Sequence, residues 1–322
     1  MKKNVFVFSR VPEPQLERLR TQFNVTVLDP KGDVPAQMAE HLPNTHGMIG
    51  AGRRLGEKQL AQATQLEVVS SVSVGYDNYD VEYFNSRNLL LTNTPDVLTE
   101  TTADLGFTLL MSAARRVPEL DHWTKSGQWK GTVGPKLFGT DVYGKTLGIV
   151  GLGNIGAAIA RRGKFGFSMP VVYSGNSRKL ELEAELGATY LELDELLKTA
   201  DFVVLVVPLS AQTTHMIGAR ELKLMKPSAI LVNVARGAVV NESELIEALQ
   251  NKTIRAAGLD VYEKEPLSDS PLFALDNVVT LPHVGSATGE TREAMVNLAV
   301  ENLERVLNGQ APLTPVNPQV LA

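Results

Sequence analysis

Gly151-Leu152-Gly153-Asn154-Ile155-Gly156 constrains the fold of this chain more than any other stretch, because of what stands on either side of it. Lys145 to Val150 (KTLGIV) is short, apolar and β-branched at its end, which marks a buried strand. Ala157-Ala158-Ile159-Ala160 runs on as a helix, and Pro170-Val171-Val172-Tyr173 reads as a second apolar strand. The glycines therefore stand at a strand-to-helix turn inside a βαβ unit, the context that turns GxGxxG into a dinucleotide fingerprint. Gly151 permits the tight turn, Gly153 lets backbone N–H groups approach a pyrophosphate, and Gly156 lets the helix pack closely on the strand. Asn154 and Ile155 complete the binding stretch, at the positive N-terminus of the helix.

The segment after the second strand bears on which dinucleotide is bound. An NAD site ordinarily ends that strand with Asp or Glu, which accepts from the ribose 2′-OH. Here the chain reads Tyr173-Ser174-Gly175-Asn176-Ser177-Arg178-Lys179, with no carboxylate at the tip. Ser174, Asn176, Ser177 and Arg178 offer hydroxyl and amide donors and a positive charge suited to a 2′-phosphate. The expectation is NADP(H) in preference to NAD(H), with NAD(H) also admitted.

At 322 residues the chain has room for two domains, and 43% hydrophobic with 21% charged residues describes an ordinary globular protein. A net charge of −5 without a basic block argues against nucleic acid or a membrane surface as partner. The absence of cysteine excludes disulfides, thiolate metal sites and cysteine nucleophiles, no metal site is expected, and a cytoplasmic protein fits. The N-terminal apolar run is too short for a signal peptide and reads as a first strand.

Strand and helix alternate through the first hundred residues: Asn4–Phe8, Val25–Leu28, Gly47–Ile49, Val68–Val74 and Leu89–Thr92 read as strands. Thr99 to about Arg116 reads as one long helix followed by a polar, glycine-bearing loop. The fingerprint strand opens a second series: Val171–Tyr173, Phe202–Val207, Ile230–Val234, Ala256–Asp260 and Val278–Leu281. A final helix, about Glu290–Leu307, follows. Such alternation predicts an α/β chain with two Rossmann-like or flavodoxin-like domains, each on a parallel sheet, and the active site in the interdomain cleft. The expected division is 1–98 plus 290–322 as a substrate (cap) domain and 99–289 as the dinucleotide-binding domain.

Three segments near predicted strand ends carry reactive groups. Arg236 ends ILVNVAR and offers a fork of donors for a carboxylate. Glu265 lies in Gly258-Leu259-Asp260-Val261-Tyr262-Glu263-Lys264-Glu265-Pro266. His283 opens the turn Pro282-His283-Val284-Gly285-Ser286. Reducing a carbonyl takes a hydride on carbon and a proton on oxygen, and a protonated imidazole supplies that proton near neutral pH. A carboxylate beside it raises its pKa by favouring the charged form. The other histidines, His41, His46, His122 and His215, read as solvated.

With these residues in place the chain resembles the D-isomer-specific 2-hydroxyacid dehydrogenases over nearly its whole length. The resemblance rests on Val74-Gly75-Tyr76-Asp77-Asn78, Thr99-Glu100-Thr101-Thr102-Ala103-Asp104, the GLGNIG turn, Asn233…Arg236-Gly237, Gly258-Leu259-Asp260-Val261…Glu265-Pro266 and Pro282-His283-Val284-Gly285-Ser286-Ala287. Within the family it is most similar to the glyoxylate/hydroxypyruvate/2-ketogluconate reductase branch. The resemblance implies that Arg236, Glu265 and His283 are catalytic and that the backbone at Val74 and Gly75 binds the substrate carboxylate. It implies that Thr102 and Asp260 contact the nicotinamide end of the cofactor, that Pro208 lines the adenosine side, and that the protein is a homodimer. The implied reaction is NADPH-dependent reduction of a small-molecule 2-keto acid to the D-2-hydroxy acid. Formate dehydrogenases share the fold but carry Gln where this chain has Glu265. A nucleotide-sensing scaffold of the same fold is the alternative.

Gly50-Ala51-Gly52-Arg53-Arg54-Leu55-Gly56 adds a feature of its own. In this fold the loop after the third strand lies at the substrate end, so Arg53 or Arg54 is expected to grip a second anionic or hydroxylated end of a longer substrate. 2-Ketogluconate or its 6-phosphate has such an end, and glyoxylate does not.

Overall fold

The computed structural model describes residues 1–9 and 11–321. Over them the chain forms two compact units, Met1–Leu98 with the stretch from Thr288 onward, and Thr99–Ala287. The second crossing falls just ahead of the 290 start read from the sequence, because Thr288 is already the cap of the final helix, accepting the Thr291 N–H.

In the first unit, apolar and β-branched runs form β1 (Asn4–Val7), β2 (Asn24–Val27), β3 (Gly47–Gly50), β4 (Val68–Ser71) and β5 (Leu90–Thr92). The helices between them are α1 (Glu13–Gln22), α2 (Val34–His41), α3 (Glu57–Leu60) and α4 (Val81–Ser86). The strands pair in parallel in the order β2-β1-β3-β4-β5, the flavodoxin-like arrangement. The final helix, Gly289–Leu307, returns to this unit and packs on β3, β4 and α1. Its Ala299, Val300 and Leu303 join Val5, Val7, Leu19, Ile49 and Val68 in a buried core. Gly47 admits it closely, since a Cβ there would lie 2.8 Å from Leu303.

The second unit starts with α5 (Thr99–Arg115) and α6 (Val117–Lys125). It continues through β6 (Leu147–Val150), α7 (Asn154–Arg161), β7 (Val171–Ser174), α8 (Leu180–Leu186), β8 (Thr189–Tyr190) and α9 (Leu193–Thr199). β9 (Phe202–Leu205), α10 (Ala219–Leu224), β10 (Ile230–Asn233), α11 (Glu242–Gln250), β11 (Ala256–Leu259) and β12 (Val278–Thr280) follow. Its 7-stranded parallel sheet has the order β12-β11-β10-β9-β6-β7-β8. This is the Rossmann order with one added strand, and the order reverses at β6 and β9, where such sheets bind ligands beyond the strand ends.

Two local readings give way to the structure, and one strand went unread. The single helix ending near Arg116 is two: α5 stops at Arg115, Arg116 takes a left-handed φ of 57°, and α6 starts with Pro118 in its first turn. The charged side chains of α6 hid it, since none of its residues is buried. β4 ends at Ser71 rather than Val74, because residues beyond it turn into a hydrogen-bonded loop. β8 is only 2 residues long, too short for a periodic signal.

Candidate active site

The glycine turn shows the geometry its spacing demands. Gly151 has φ +99°, and a Cβ on it would lie 2.8 Å from the Val206 carbonyl oxygen. Gly156 sits so close to the turn that a Cβ would come within 2.3 Å of the Gly151 oxygen. Gly153, the N-cap of α7, faces open space, with nothing within 4 Å of a Cβ. Two glycines thus hold the helix against the strand, and the third leaves room where a pyrophosphate would meet the N–H groups of Asn154 and Ile155. The residues present fit a dinucleotide.

At the end of β7, Ser174 is nearly buried, and its carbonyl accepts the Gly151 N–H at 2.9 Å. Asn176, Ser177 and Arg178 lie exposed beyond it. The strand tip carries no carboxylate of its own, but α8 brings one to it. Glu183 accepts from Arg178 Nε at 3.0 Å and from Arg178 Nη2. It also accepts the Tyr173 hydroxyl at 2.6 Å. The hydrogen bonds from Arg178 and Tyr173 hold the Glu183 carboxyl below its ordinary range. Pro208, after β9, is exposed, and its carbonyl accepts the Thr213 hydroxyl at 2.6 Å.

The loops after β10, β11 and β12, which are adjacent strands, carry Arg236, Glu265 and His283. His283 Nδ1 and Glu265 Oε2 are 2.6 Å apart, and Glu265 Oε1 accepts the Tyr262 N–H at 3.0 Å. Burial pushes the Glu265 carboxyl up, but the bonds from His283 and Tyr262 and the charges of His283 and Arg236 outweigh it and hold it below the usual carboxylate range. With Nδ1 engaged, Nε2 is the nitrogen left to face a substrate. Glu265 and His283 line a pocket of about 480 Å³. The Arg236 turn is braced by buried Asn233, whose amide donates to the Arg236 carbonyl at 2.9 Å and accepts the Ala235 N–H at 3.0 Å.

Asp260 is buried, and its two oxygens accept the N–H groups of Val284 and Gly285 at 2.8 Å each. Burial raises its carboxyl pKa, and those bonds only partly offset it. Thr102, on α5, lies against Gly285, 3.4 Å from where a Cβ would sit. Thr102 and Asp260 therefore both stand against Gly285, at the base of the His283 loop. The Tyr262 hydroxyl, its pKa pushed up to about 12 first by burial and then by the Asp260 charge, donates to the Leu281 carbonyl at 2.9 Å. Gly237 closes the set: a Cβ on it would lie 1.7 Å from the Tyr262 carbonyl carbon.

In the first unit, Asn93 donates to the Val74 carbonyl at 2.8 Å and the Ser73 hydroxyl to the Gly75 carbonyl at 2.7 Å. Among the described residues neither the Val74 nor the Gly75 N–H has a hydrogen-bond partner, so both are available to an anion. Arg53 donates from Nε to the Phe8 carbonyl at 3.1 Å. Arg53, Arg54 and Lys58 line a pocket of about 670 Å³ with the apolar side chains of Val34, Met38 and Leu55.

The remaining histidines correct the solvated reading in part. His122 is exposed. His215 is exposed but paired with Glu263 at 2.8 Å. His46 accepts the Asn4 N–H at 3.1 Å, and His41 packs on Phe6. Glu183, Asn233 and Tyr262 had no assigned role in the sequence reading. Only Asn233 carried a signal, its place before Arg236 in the motif.

A Rossmann-ordered sheet with this glycine turn, and a His–Glu pair beside an arginine at the ends of the same sheet, define a nucleotide-dependent dehydrogenase. The model of the D-isomer specific 2-hydroxyacid dehydrogenase NAD-binding domain matches residues 107–285. Glyoxylate/hydroxypyruvate reductase B of Klebsiella pneumoniae subsp. pneumoniae is 48% identical over 322 residues, covering 99% of this chain and 100% of its own. Its namesake from Pectobacterium atrosepticum is 48% identical over 324 residues, covering 100% of each. Among solved structures, a Thermus thermophilus protein has a TM-score of 0.89 at 41% identity, covering 97% of this chain and 99% of that one. An NADPH-dependent glyoxylate/hydroxypyruvate reductase from Sinorhizobium meliloti, solved with NADP and malonate, has a TM-score of 0.88 at 34% identity, covering 98% and 97%. The chain belongs to the D-isomer-specific 2-hydroxyacid dehydrogenase family, in its glyoxylate/hydroxypyruvate reductase branch. It is an NAD(P)-dependent enzyme of keto acid reduction, and the scaffold alternative is set aside. Among the described residues no helix is long and apolar enough to cross a membrane.

Proposed function

We propose that the protein reduces a 2-keto acid to the D-2-hydroxy acid with NADPH preferred over NADH, in the cytoplasm. The substrate is one of glyoxylate, hydroxypyruvate, 2-ketogluconate or its 6-phosphate. The observation that carries this is the His283–Glu265 pair, at 2.6 Å, beside the charge of Arg236. The reduced nicotinamide, when bound, supplies a hydride to the carbonyl carbon. His283 gives the proton from Nε2 to the carbonyl oxygen, while Glu265 keeps the ring oriented through Nδ1. Arg236 holds the substrate carboxylate and polarises the carbonyl. On the family resemblance, Met1–Leu98 with the stretch from Thr288 onward acts as the substrate domain, with the Val74 and Gly75 backbone binding a carboxylate, and the Thr99–Ala287 unit acts as the cofactor domain. Gly151, Gly153, Asn154, Ile155 and Gly156 hold the pyrophosphate, and Ser174, Asn176, Ser177 and Arg178 the 2′-phosphate. Pro208 lines the adenosine side.

Asp260 and Thr102 contact the nicotinamide end of the cofactor, and Asp260 also fixes the His283 loop. Arg53, Arg54 and Lys58 line the first unit's pocket and form no ion pair among the described residues, which supports a role for Arg53 and Arg54 in holding a second anionic end of a longer substrate. The family resemblance and the exposed apolar side chains of Trp129, Val133, Phe138 and Tyr143 support a homodimer.

Turnover of glyoxylate, hydroxypyruvate and 2-ketogluconate, each with NADPH and with NADH, tests the reading. The expected result is higher kcat/KM with NADPH for at least one of the three. No turnover of any 2-keto acid overturns the assigned activity, and equal use of both nucleotides overturns the cofactor preference.

A further inference from the structure

Arg178, the cation on which the NADPH reading depends, already has an anion. Glu183 takes its Nε and Nη2 in a two-pronged pair, which leaves only part of the guanidinium fork for anything else. The two partners differ in freedom. The Arg178 side chain is 61% exposed, and that of Glu183 only 14%. Glu183 is further anchored by the hydroxyl of Tyr173, a wholly buried ring, and that same hydroxyl accepts the Lys179 N–H at 2.7 Å. The carboxylate is thus the fixed member and the guanidinium the movable one. Both its partners, Arg178 and Tyr173, favour the ionised carboxylate.

We propose that Glu183 sets the balance between phosphorylated and unphosphorylated nicotinamide dinucleotides at this site. The inference rests on the reading of the β7 end as the place of the adenosine ribose. A 2′-phosphate arriving there meets a neutral Arg178–Glu183 pair rather than a free cation, and must draw Arg178 away from Glu183 against the repulsion of a fixed carboxylate. An unphosphorylated ribose meets no such opposition, and its 2′-OH finds in Glu183 an acceptor of the kind that NAD sites carry at this strand end. Glu183 therefore restrains the preference for the phosphorylated nucleotide and keeps the site open to both.

The test uses the full-length protein and Glu183→Gln, in which the remaining carbonyl still accepts the Tyr173 hydroxyl. Calorimetric titration with adenosine 2′,5′-bisphosphate and with ADP reads the site without turnover. Glu183→Gln is expected to bind the bisphosphate about tenfold more tightly and ADP no more tightly than the parent. The NADPH/NADH ratio of kcat/KM should rise by a similar factor through KM, with kcat unchanged, because the site is remote from the reacting carbon. Glu183→Ala must shift the ratio in the same direction, which guards against a folding defect in one variant. Weaker bisphosphate binding would mean that Glu183 only orients Arg178, and an unchanged ratio would mean that it has no part in selection. Either overturns the proposal. A parent protein that prefers NADH refutes the NADPH reading instead, a separate result from the direction in which Glu183→Gln moves the ratio.

Discussion

Glu265 binds His283 with one oxygen, at 2.6 Å, and the Tyr262 N–H with the other, at 3.0 Å. The imidazole is thus tied to a carboxylate that its own loop holds in place.

The pair carries the proton transfer. Reduction needs a proton from the imidazole, and Glu265 is the carboxylate that holds the Nδ1 of that ring. Glu265→Gln should therefore lower kcat, and a kcat equal to the parent's would disprove the pairing. His283→Ala should cost on the order of 10²–10⁴-fold, mostly in kcat. Stability follows the same bond from the acid side. The folded Glu265 carboxyl is held below its unfolded value. Its contribution is complete above that unfolded value, about 4.3 for Glu, and is lost as pH falls through the folded one. Parent and Glu265→Gln should therefore converge in Tm only as pH falls below the ordinary Glu value and through the lower folded one.

Gly237 lets the loops of Arg236 and Glu265 touch, since a Cβ there would stand 1.7 Å from the Tyr262 carbonyl carbon. Gly237→Ala must push the two loops apart. Thermal unfolding should show a loss of about 1–3 kcal/mol, typical of overpacking, with kcat/KM falling as Arg236 and Glu265 separate. A variant with the parent's Tm and activity would show that the loops do not meet so closely.

Arg178→Ala removes the cation at the end of β7. It should weaken NADPH by about 1.5–3 kcal/mol, the usual worth of a charge-assisted contact, and NADH by much less. Cofactor-fluorescence titrations read both constants. Equal losses would leave the 2′-phosphate without its assigned partner.

Arg53 and Arg54 share a pocket with Lys58, and no ion pair neutralises the three among the described residues. Arg54→Ala or Arg53→Ala should lower kcat/KM for 2-ketogluconate or its 6-phosphate and leave glyoxylate nearly unchanged, because remote binding helps only substrates long enough to use it. Parallel losses on long and short substrates would indicate a fold effect. No loss on either would remove these arginines from the site.

Sequence alone determined the features whose causes are local. The glycine turn was legible because each of its demands, a left-handed φ at Gly151, an open face at Gly153 and a tight approach at Gly156, arises within one turn and a single βαβ unit. The strands were legible because a buried parallel strand is an apolar run wherever it lies. Arg236, Glu265 and His283 could be named one by one, each near the end of such a run. Tertiary structure alone decided how they meet. β10, β11 and β12 lie side by side, and that order brings Gly237 against Tyr262, the N–H groups of Val284 and Gly285 onto Asp260, and Glu265 onto His283. Glu183 reaches the β7 tip by the same kind of cause, since its place depends on how α8 packs and on the buried Tyr173 hydroxyl. Which strands become neighbours is settled by the packing of whole helices on whole sheets. Apart from the Glu265–His283 pairing, which the proton chemistry itself suggests, no residue's own chemistry contains that information, so the reactive groups could be read from the chain and the contacts that brace them could not.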